Sequence, residues 1–303
     1  MSNFYKSPKC KICNLSGKSI YSRNYDDDNL KLFFINYYGG KKYNNFKDKI
    51  NNIKYELLIC DKCNFIWQKY IPDKNLSIDL YEKIIDNDES LKKSKKKYDN
   101  QKKSYFKEIK KIIGNFDKKK INILDYGAGW GHWLMSGLNL HYDPYAFELS
   151  PSRIEYLLSN KIKVLNFETI NSYNNFFHYI RMDQVLEHLD EPCISLDIIK
   201  KLGREDCIFF VSVPDGTKII KERNRIIKIQ KGPIQPLEHL NCFSKKSLKK
   251  ILDVNGFRPM KLSEIIMLNI KDFKLDLISL KSFLLDIKNH FFSTSIKFKL
   301  KNK

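Results

Sequence analysis

From Ile121 onward, short apolar runs alternate with segments of helical spacing. Ile121 to Tyr126 is apolar and of strand length, and a glycine-rich turn and a helix follow it. Tyr145–Phe147 is the next strand. Ser150 and Pro151 then open a helix through Leu158, with serine at the cap and proline in the first turn. Lys163 to Phe167 and Tyr179 to Asp183 read as strands, and a helix is expected near 191–202. Cys207 to Val213 has the continuous apolar character of a strand buried on both faces, and Pro214 closes it. A helix is predicted from Lys245 to Asn255, stopped by Gly256, and 261–270 reads as a strand. Leu275, Leu277, Leu280, Phe283, Leu284 and Ile287 form an amphipathic helical stripe, and Ser295 to Leu300 a closing edge strand. Such alternation predicts an α/β fold, a parallel sheet wound on both sides.

The first 120 residues differ. Tyr55–Ile59 and Phe65–Trp67 read as short strands flanking a pair of cysteines. The polar and aromatic residues before them show little periodicity. Leu76, Leu80, Ile84 and Ile85 recur at helical spacing. The lysine run at 92–97 then reads as a solvated helix face. Phe106, Ile109, Ile112 and Ile113 make a second stripe, ended by Gly114 and Asn115. The expected organisation is a small module over 1–75, a helical linker over 76–118 and the main domain over 119–303.

Charge changes this picture little. The net charge is +20, but arginine occurs only at positions 23, 153, 181, 204, 223, 225 and 258, the rest of the 55 basic residues being lysine. Surfaces that read phosphate or base edges favour the bidentate arginine fork. A nucleic-acid partner is therefore disfavoured, and the basic balance suits an acidic small molecule. The first residues, Met1 to Lys11, carry no apolar core of a secretion signal, and no stretch of about 18 uncharged apolar residues exists. With seven cysteines, four of them in C-x-x-C pairs, the expected setting is cytoplasmic and reducing.

The most informative segment is Ile123-Leu124-Asp125-Tyr126-Gly127-Ala128-Gly129-Trp130-Gly131. An apolar strand runs into three alternating glycines and then a helix. Glycine lets the backbone turn sharply and approach a ligand with no Cβ in the way. A dinucleotide fingerprint, G-x-G-x-x-G, would put its last glycine at 132, where His132 stands. The D-x-G-x-G-x-G pattern suits a cofactor with an amino-acid head. Asp125 is placed either to hold the loop or to accept from an ammonium group. Glu148 ends the next strand, about 20 residues on, where an acidic side chain takes both hydroxyls of a ribose.

This loop resembles motif I of class I S-adenosylmethionine methyltransferases. Met182-Asp183-Gln184-Val185-Leu186-Glu187-His188-Leu189-Asp190-Glu191-Pro192 is similar to that family's segment after strand four, and Val211-Ser212-Val213-Pro214-Asp215 to its fifth-strand ending. The resemblance implies a Rossmann-like sheet of seven strands. It implies S-adenosylmethionine as cofactor, held by Asp125, Gly127, Ala128, Gly129, Gly131, Glu148 and Gln184. Asn166 or Glu168 is placed for the adenine, and Glu187 and His188 line the site.

Cys10-x-x-Cys13 and Cys60-x-x-Cys63 supply four thiolates, the donor set of a tetrahedral zinc ion with no open position and hence a structural role. The gap between the pairs exceeds the usual run of about 15–20 residues, as an inserted loop would make it. A four-cysteine module ahead of such a core resembles sugar C-methyltransferases and polysaccharide-pathway methyltransferases. Pro236-Leu237-Glu238-His239-Leu240-Asn241-Cys242-Phe243-Ser244 is similar to their segment after strand five. That resemblance implies His239 as the general base, oriented by Glu238, at the carboxyl edge of the sheet. It also implies a nucleotide-linked sugar or surface-glycan precursor as the small-molecule acceptor. The rival readings are an RNA-binding or RNA-modifying protein that uses the zinc module, and a quinone or other small-molecule O-methyltransferase.

Overall fold

The computed structural model of the chain describes residues 3–84, 87–116, 120–222, 228–270 and 277–301. Ile85, the boundary at 118/119, Lys271 and Leu275 lie outside the described residues. The chain divides into two compact units. One comprises Met1–Asp86, Leu186–Cys193 and Val213–Ile251, and the other Asn87–Val185, Ile194–Ser212 and Leu252–Lys303.

The first unit holds strands β1 (Phe4–Lys6), β2 (Lys18–Asn24), β3 (Lys54–Ile59), β4 (Ile66–Gln68) and β5 (Tyr70–Pro72). Its helices are α1 (Asp28–Tyr38), α2 (Gly40–Ile50) and α3 (Lys74–Asp79), with one π-helical turn at Leu80–Ile84. The strand β11 (Asn241–Cys242) completes a four-stranded antiparallel sheet in the order β11-β4-β3-β2. Helices α1 and α2 occupy the segment that shows little periodicity in the sequence. Asp27 caps α1 by accepting from the Asn29 amide at 3.0 Å. Leu30, Phe34, Tyr43, Phe46 and Ile50 bury themselves from these helices against Tyr25, Tyr55 and Leu57. Phe34 lies edge-on to Phe46 and stacked on Tyr43, so aromatic packing holds the pair of helices.

The second unit is the predicted doubly wound α/β sheet. Its elements are α4 (Asn87–Gly114), β6 (Asn122–Tyr126), α5 (His132–Met135), β7 (Asp143–Phe147), α6 (Pro151–Ser159), β8 (Lys163–Leu165) and β9 (Phe177–Asp183). They continue with α7 (Pro192–Leu202), β10 (Gly203–Ser212), β12 (Phe257–Pro259), α10 (Leu262–Ile270), α11 (Leu277–Phe292) and β13 (Ser295–Leu300). The seven strands run in the order β12-β13-β10-β9-β6-β7-β8. Strands β6 to β10 are parallel, and β13 pairs antiparallel with β10. Ile109 and Ile112 of α4, Trp133, Leu134 and Leu157 close over Ile123, Ala146, Tyr179 and Ile208. Between strands 10 and 12 lie α8 (Thr217–Lys221) and α9 (Lys245–Val254), the latter at the helix predicted there.

Two sequence expectations are corrected. Residues 261–270 form helix α10 rather than a strand. Glu264 accepts from the Lys261 amide at 2.6 Å, Arg258 grips the same carboxylate with two bonds, and Ile265 and Leu268 bury a helical face. β13 is an interior strand, because β12 adds outside it.

Candidate active site and cysteine cluster

In the sheet unit, β6 delivers the chain into a loop where Gly127, Gly129 and Gly131 all have positive φ, at 78°, 57° and 67°. A side chain is barred twice over at two of them. A Cβ on Gly127 would lie 2.4 Å from Val185 Cγ2, and one on Gly131 would lie 2.2 Å from Leu157 Cδ2. At Gly129 a Cβ would meet nothing within 4 Å, so the bare backbone there faces open space. The amides of Gly127 and Ala128 both donate to the Phe147 carbonyl, at 2.8 and 3.2 Å. Gly129 donates to Glu148 Oε2 at 2.8 Å, and Leu149 and Ser150 donate to Oε1 at 2.9 and 3.0 Å. Glu148 is buried, and its carboxylate ties the glycine loop to the end of β7. Gln184 takes a φ of 58° just past β9, donates to the Ser212 carbonyl, and sets Val185 over Gly127.

Asp125 is buried, and its register partner on β9 is Arg181, whose own partner on β10 is Phe210. Directly opposed residues share one face of a sheet. Arg181 Nη1 therefore lies 3.3 Å from Asp125 Oδ1, its Nη2 2.5 Å from Asp183 Oδ2, and its guanidinium 4.9 Å from the centre of the Trp133 ring. Burial, with Asp183 beside it, raises the Asp125 carboxyl to about 6 against the pull of the Arg181 charge. In the structure the Asp125 carboxylate is engaged by Arg181. The sequence reading missed Arg181. Its signal is a single cationic residue in an apolar central strand.

One face of α4 supports the loop. Ser90 accepts from Trp130 Nε1 at 3.1 Å, Ser94 Oγ lies 2.8 Å from His132 Nδ1, and Tyr98 stacks on the His132 ring at 5.0 Å. These residues recur every fourth position, on a face distinct from the exposed lysines. Asn166 spends its side-chain oxygen on Glu168 N, Thr169 N and Thr169 Oγ1, which caps a turn, and Glu168 is exposed.

These residues fit S-adenosylmethionine. The open backbone at Gly129 leaves room for close approach. Glu148 is fixed at the end of the second strand, where a ribose diol is gripped in sheets of this winding.

In the first unit, Glu238 and His239 sit in a loop in which Leu237 has a φ of 67°. Tyr38 of α1 donates to Glu238 Oε1 at 2.5 Å, and burial raises the Glu238 carboxyl. Gln68 of β4 donates to the His239 carbonyl at 2.9 Å. Asn241 donates to the carbonyls of Leu186 and Leu189 at 3.3 and 2.6 Å, drawing the 186–189 turn onto the same loop. The His188 and His239 rings meet edge to face with centroids 4.7 Å apart. His188 Nδ1 lies 2.9 Å from the Glu238 carbonyl and 2.9 Å from the Tyr81 hydroxyl. Burial lowers His239 to about 4, and its Nδ1 is buried with no hydrogen-bond partner among the described residues. Glu238, His239, Glu187 and His188 are thus brought together. The sequence reading missed Tyr38, which reaches Glu238 only through the fold of α1.

The four predicted zinc ligands also converge. The sulfurs of Cys10, Cys13, Cys60 and Cys63 all lie within 4.8 Å of one another, and Cys10 Sγ is 3.6 Å from Cys63 Sγ. Thiolates about 2.3 Å from a common tetrahedral ion sit roughly 3.8 Å apart, so the donor set fits zinc. Both knuckles close the same way. Asn14 N donates to Cys10 O and Cys10 N donates to Leu15 O, while Asn64 N donates to Cys60 O and Cys60 N to Phe65 O. Asn14 and Asn64 both take φ of 55°, a left-handed bend that asparagine tolerates better than other side chains.

No described helix is long and apolar enough to cross a membrane. A search of curated proteins finds no match. Among solved structures, a sarcosine dimethylglycine methyltransferase from Galdieria sulphuraria is similar over 67% of this chain and 86% of its own, at 10% identity and a TM-score of 0.42. A SAM-dependent methyltransferase from Aquifex aeolicus is similar over 56% of this chain and 89% of its own, at 21% identity and a TM-score of 0.41. Both likenesses are too distant to carry an argument. The family model described as a methyltransferase domain matches residues 97–262, more than half of the chain and the whole of the glycine loop with its supporting strands. The chain belongs to this family and is a methyltransferase.

Proposed function

We propose that this methyltransferase moves the methyl group of S-adenosylmethionine to a small acceptor, of which a nucleotide-linked sugar or surface-glycan precursor is the favoured class. The observation that carries the reading is the side-chain-free loop at Gly127–Gly131, latched to Glu148. When bound, the cofactor supplies a methyl carbon on a positively charged sulfur, open to displacement by an acceptor lone pair. Glu148 holds its sugar, the bare backbone at Gly129 admits its head group, and Gln184 with Val185 fixes the loop from the next strand end. The Arg181–Asp183–Asp125 row sets the charge at the carboxyl end of the sheet.

His239 accepts the proton that the acceptor loses, at Nδ1. Its buried, unpartnered Nδ1 supports this role. Glu238 serves as a positioning residue, with its carboxylate locked by Tyr38 and its carbonyl by His188. The cysteine cluster binds zinc in a structural role. The net charge of +20 favours an acceptor bearing phosphates. The test is incubation with methyl-labelled S-adenosylmethionine and a panel of nucleotide sugars. Label in a sugar, lost in His239→Ala with cofactor binding retained, supports the reading. Label in added RNA and in none of the sugars contradicts it.

A further inference from the structure

We propose that Glu187, His188 and His239 form a second metal centre, separate from the four cysteines, that takes a divalent transition ion. One ligand atom from each of the three lies within 4.8 Å of the other two. Two imidazoles and a carboxylate suit zinc, iron(II), cobalt(II) or nickel(II), and poorly suit magnesium or calcium, which prefer all-oxygen shells.

The hydrogen bonds around the cluster assign the lone pairs. A backbone carbonyl only accepts, so His188 Nδ1, 2.9 Å from the Glu238 carbonyl, carries its proton. In the neutral form of that ring Nε2 bears the lone pair, and it is Nε2 that lies 3.9 Å from Glu187 Oε1. The buried Nδ1 of His239 has no partner among the described residues. His188 has the arrangement of a metal-bound histidine, with one nitrogen fixed by a carbonyl and the other free to face an ion. The rings stand at 85°, so their lone pairs converge from different directions. Glu187 is 1% exposed. A buried carboxylate beside two imidazoles is stabilised by a cation between them. Ligands about 2.1 Å from one ion sit roughly 3–3.5 Å apart, so closure needs about 1 Å of side-chain movement.

Three protein ligands leave open positions, as at catalytic rather than structural sites. The inference refines the proposed acceptor side. A loaded ion would hold an acceptor hydroxyl and lower its pKa so that its proton passes to solvent water, and His239 would then serve as a ligand in place of the proton acceptor.

The test is titration of the full-length, zinc-loaded chain with cobalt(II). The proposal expects one cobalt per chain beyond the cysteine-bound zinc. Its visible spectrum should have ligand-field bands without thiolate charge transfer, and its affinity should fall at least tenfold in both Glu187→Gln and His188→Ala. Retention of the cysteine-bound zinc and of the circular dichroism shows that the variants fold. A chain that binds no second equivalent, or variants that bind it as the wild type does, overturn the proposal. If no second ion binds and His239→Ala still abolishes methyl transfer, the ion is refuted and the proton-acceptor reading stands.

Discussion

Gly127→Ala and Gly129→Ala are the same chemical change two residues apart, and the structure predicts opposite consequences. Both positions have positive φ, which costs an alanine about 1–2 kcal/mol. At Gly127 the new methyl would also lie 2.4, 3.1 and 3.3 Å from the Cγ2, Cγ1 and Cβ atoms of Val185. A β-branched side chain has little freedom to turn away, and such overpacking costs about 1–3 kcal/mol more. Gly127→Ala should therefore lower the unfolding free energy by about 2–5 kcal/mol. Gly129→Ala meets no atom within 4 Å and should lose only the backbone term of about 1–2 kcal/mol. Its methyl projects into the space that the cofactor requires, so its affinity for S-adenosylhomocysteine should fall tenfold or more, about 1.4 kcal/mol. Urea unfolding and titration calorimetry on the two variants give both quantities. A Gly129→Ala protein that binds as tightly as the wild type would refute the reasoning, because the ligand would then not approach the loop backbone.

Arg181→Met should cost about 3–5 kcal/mol, because it leaves Asp125 buried without its cation; adding Asp125→Asn should restore part of the loss in urea unfolding. Cys60→Ser should reduce the bound zinc and lower the melting temperature of the chain, measured by metal analysis and calorimetry. Two carboxyls set an acid limit. The side-chain bonds from Arg258 hold Glu264 down to about 2, and Lys297 and Lys111 hold Asp286 down to about 2 against its burial. Both folded values lie below the unfolded ones. Their contribution is thus complete above about pH 4.5 and is lost as pH falls toward 2. Unfolding free energy should drop between about pH 4.5 and pH 2, and Glu264→Gln should flatten that drop.

The sheet was legible because its strands are buried on both faces and read as apolar runs, and because the glycine loop states its own backbone requirement. Helices α1 and α2 were not. Phe33, Phe34, Tyr37 and Tyr38 crowd one stretch, and aromatic side chains give no clear helical stripe until their packing partners are known. The run Ile265-Ile266-Met267-Leu268 in α10 fits a buried strand as well as a helix. The bonds of Glu264 to Arg258 and Lys261, which a linear pattern does not reveal, start the helix. Cys10, Cys13, Cys60 and Cys63 were legible by spacing alone. The pairing of Asp125 with Arg181, the reach of Tyr38 to Glu238 and the meeting of His188 with His239 all depend on sheet register or loop closure, which local sequence does not encode.

The most direct test is titration calorimetry of S-adenosylhomocysteine into the folded chain. Saturable binding at one site per chain, matched by a rise in melting temperature, is the predicted result. A folded protein that gives neither heat nor thermal shift with this nucleoside or its methylated parent would contradict the assignment of the Gly127–Gly131 loop and Glu148 as its binding site.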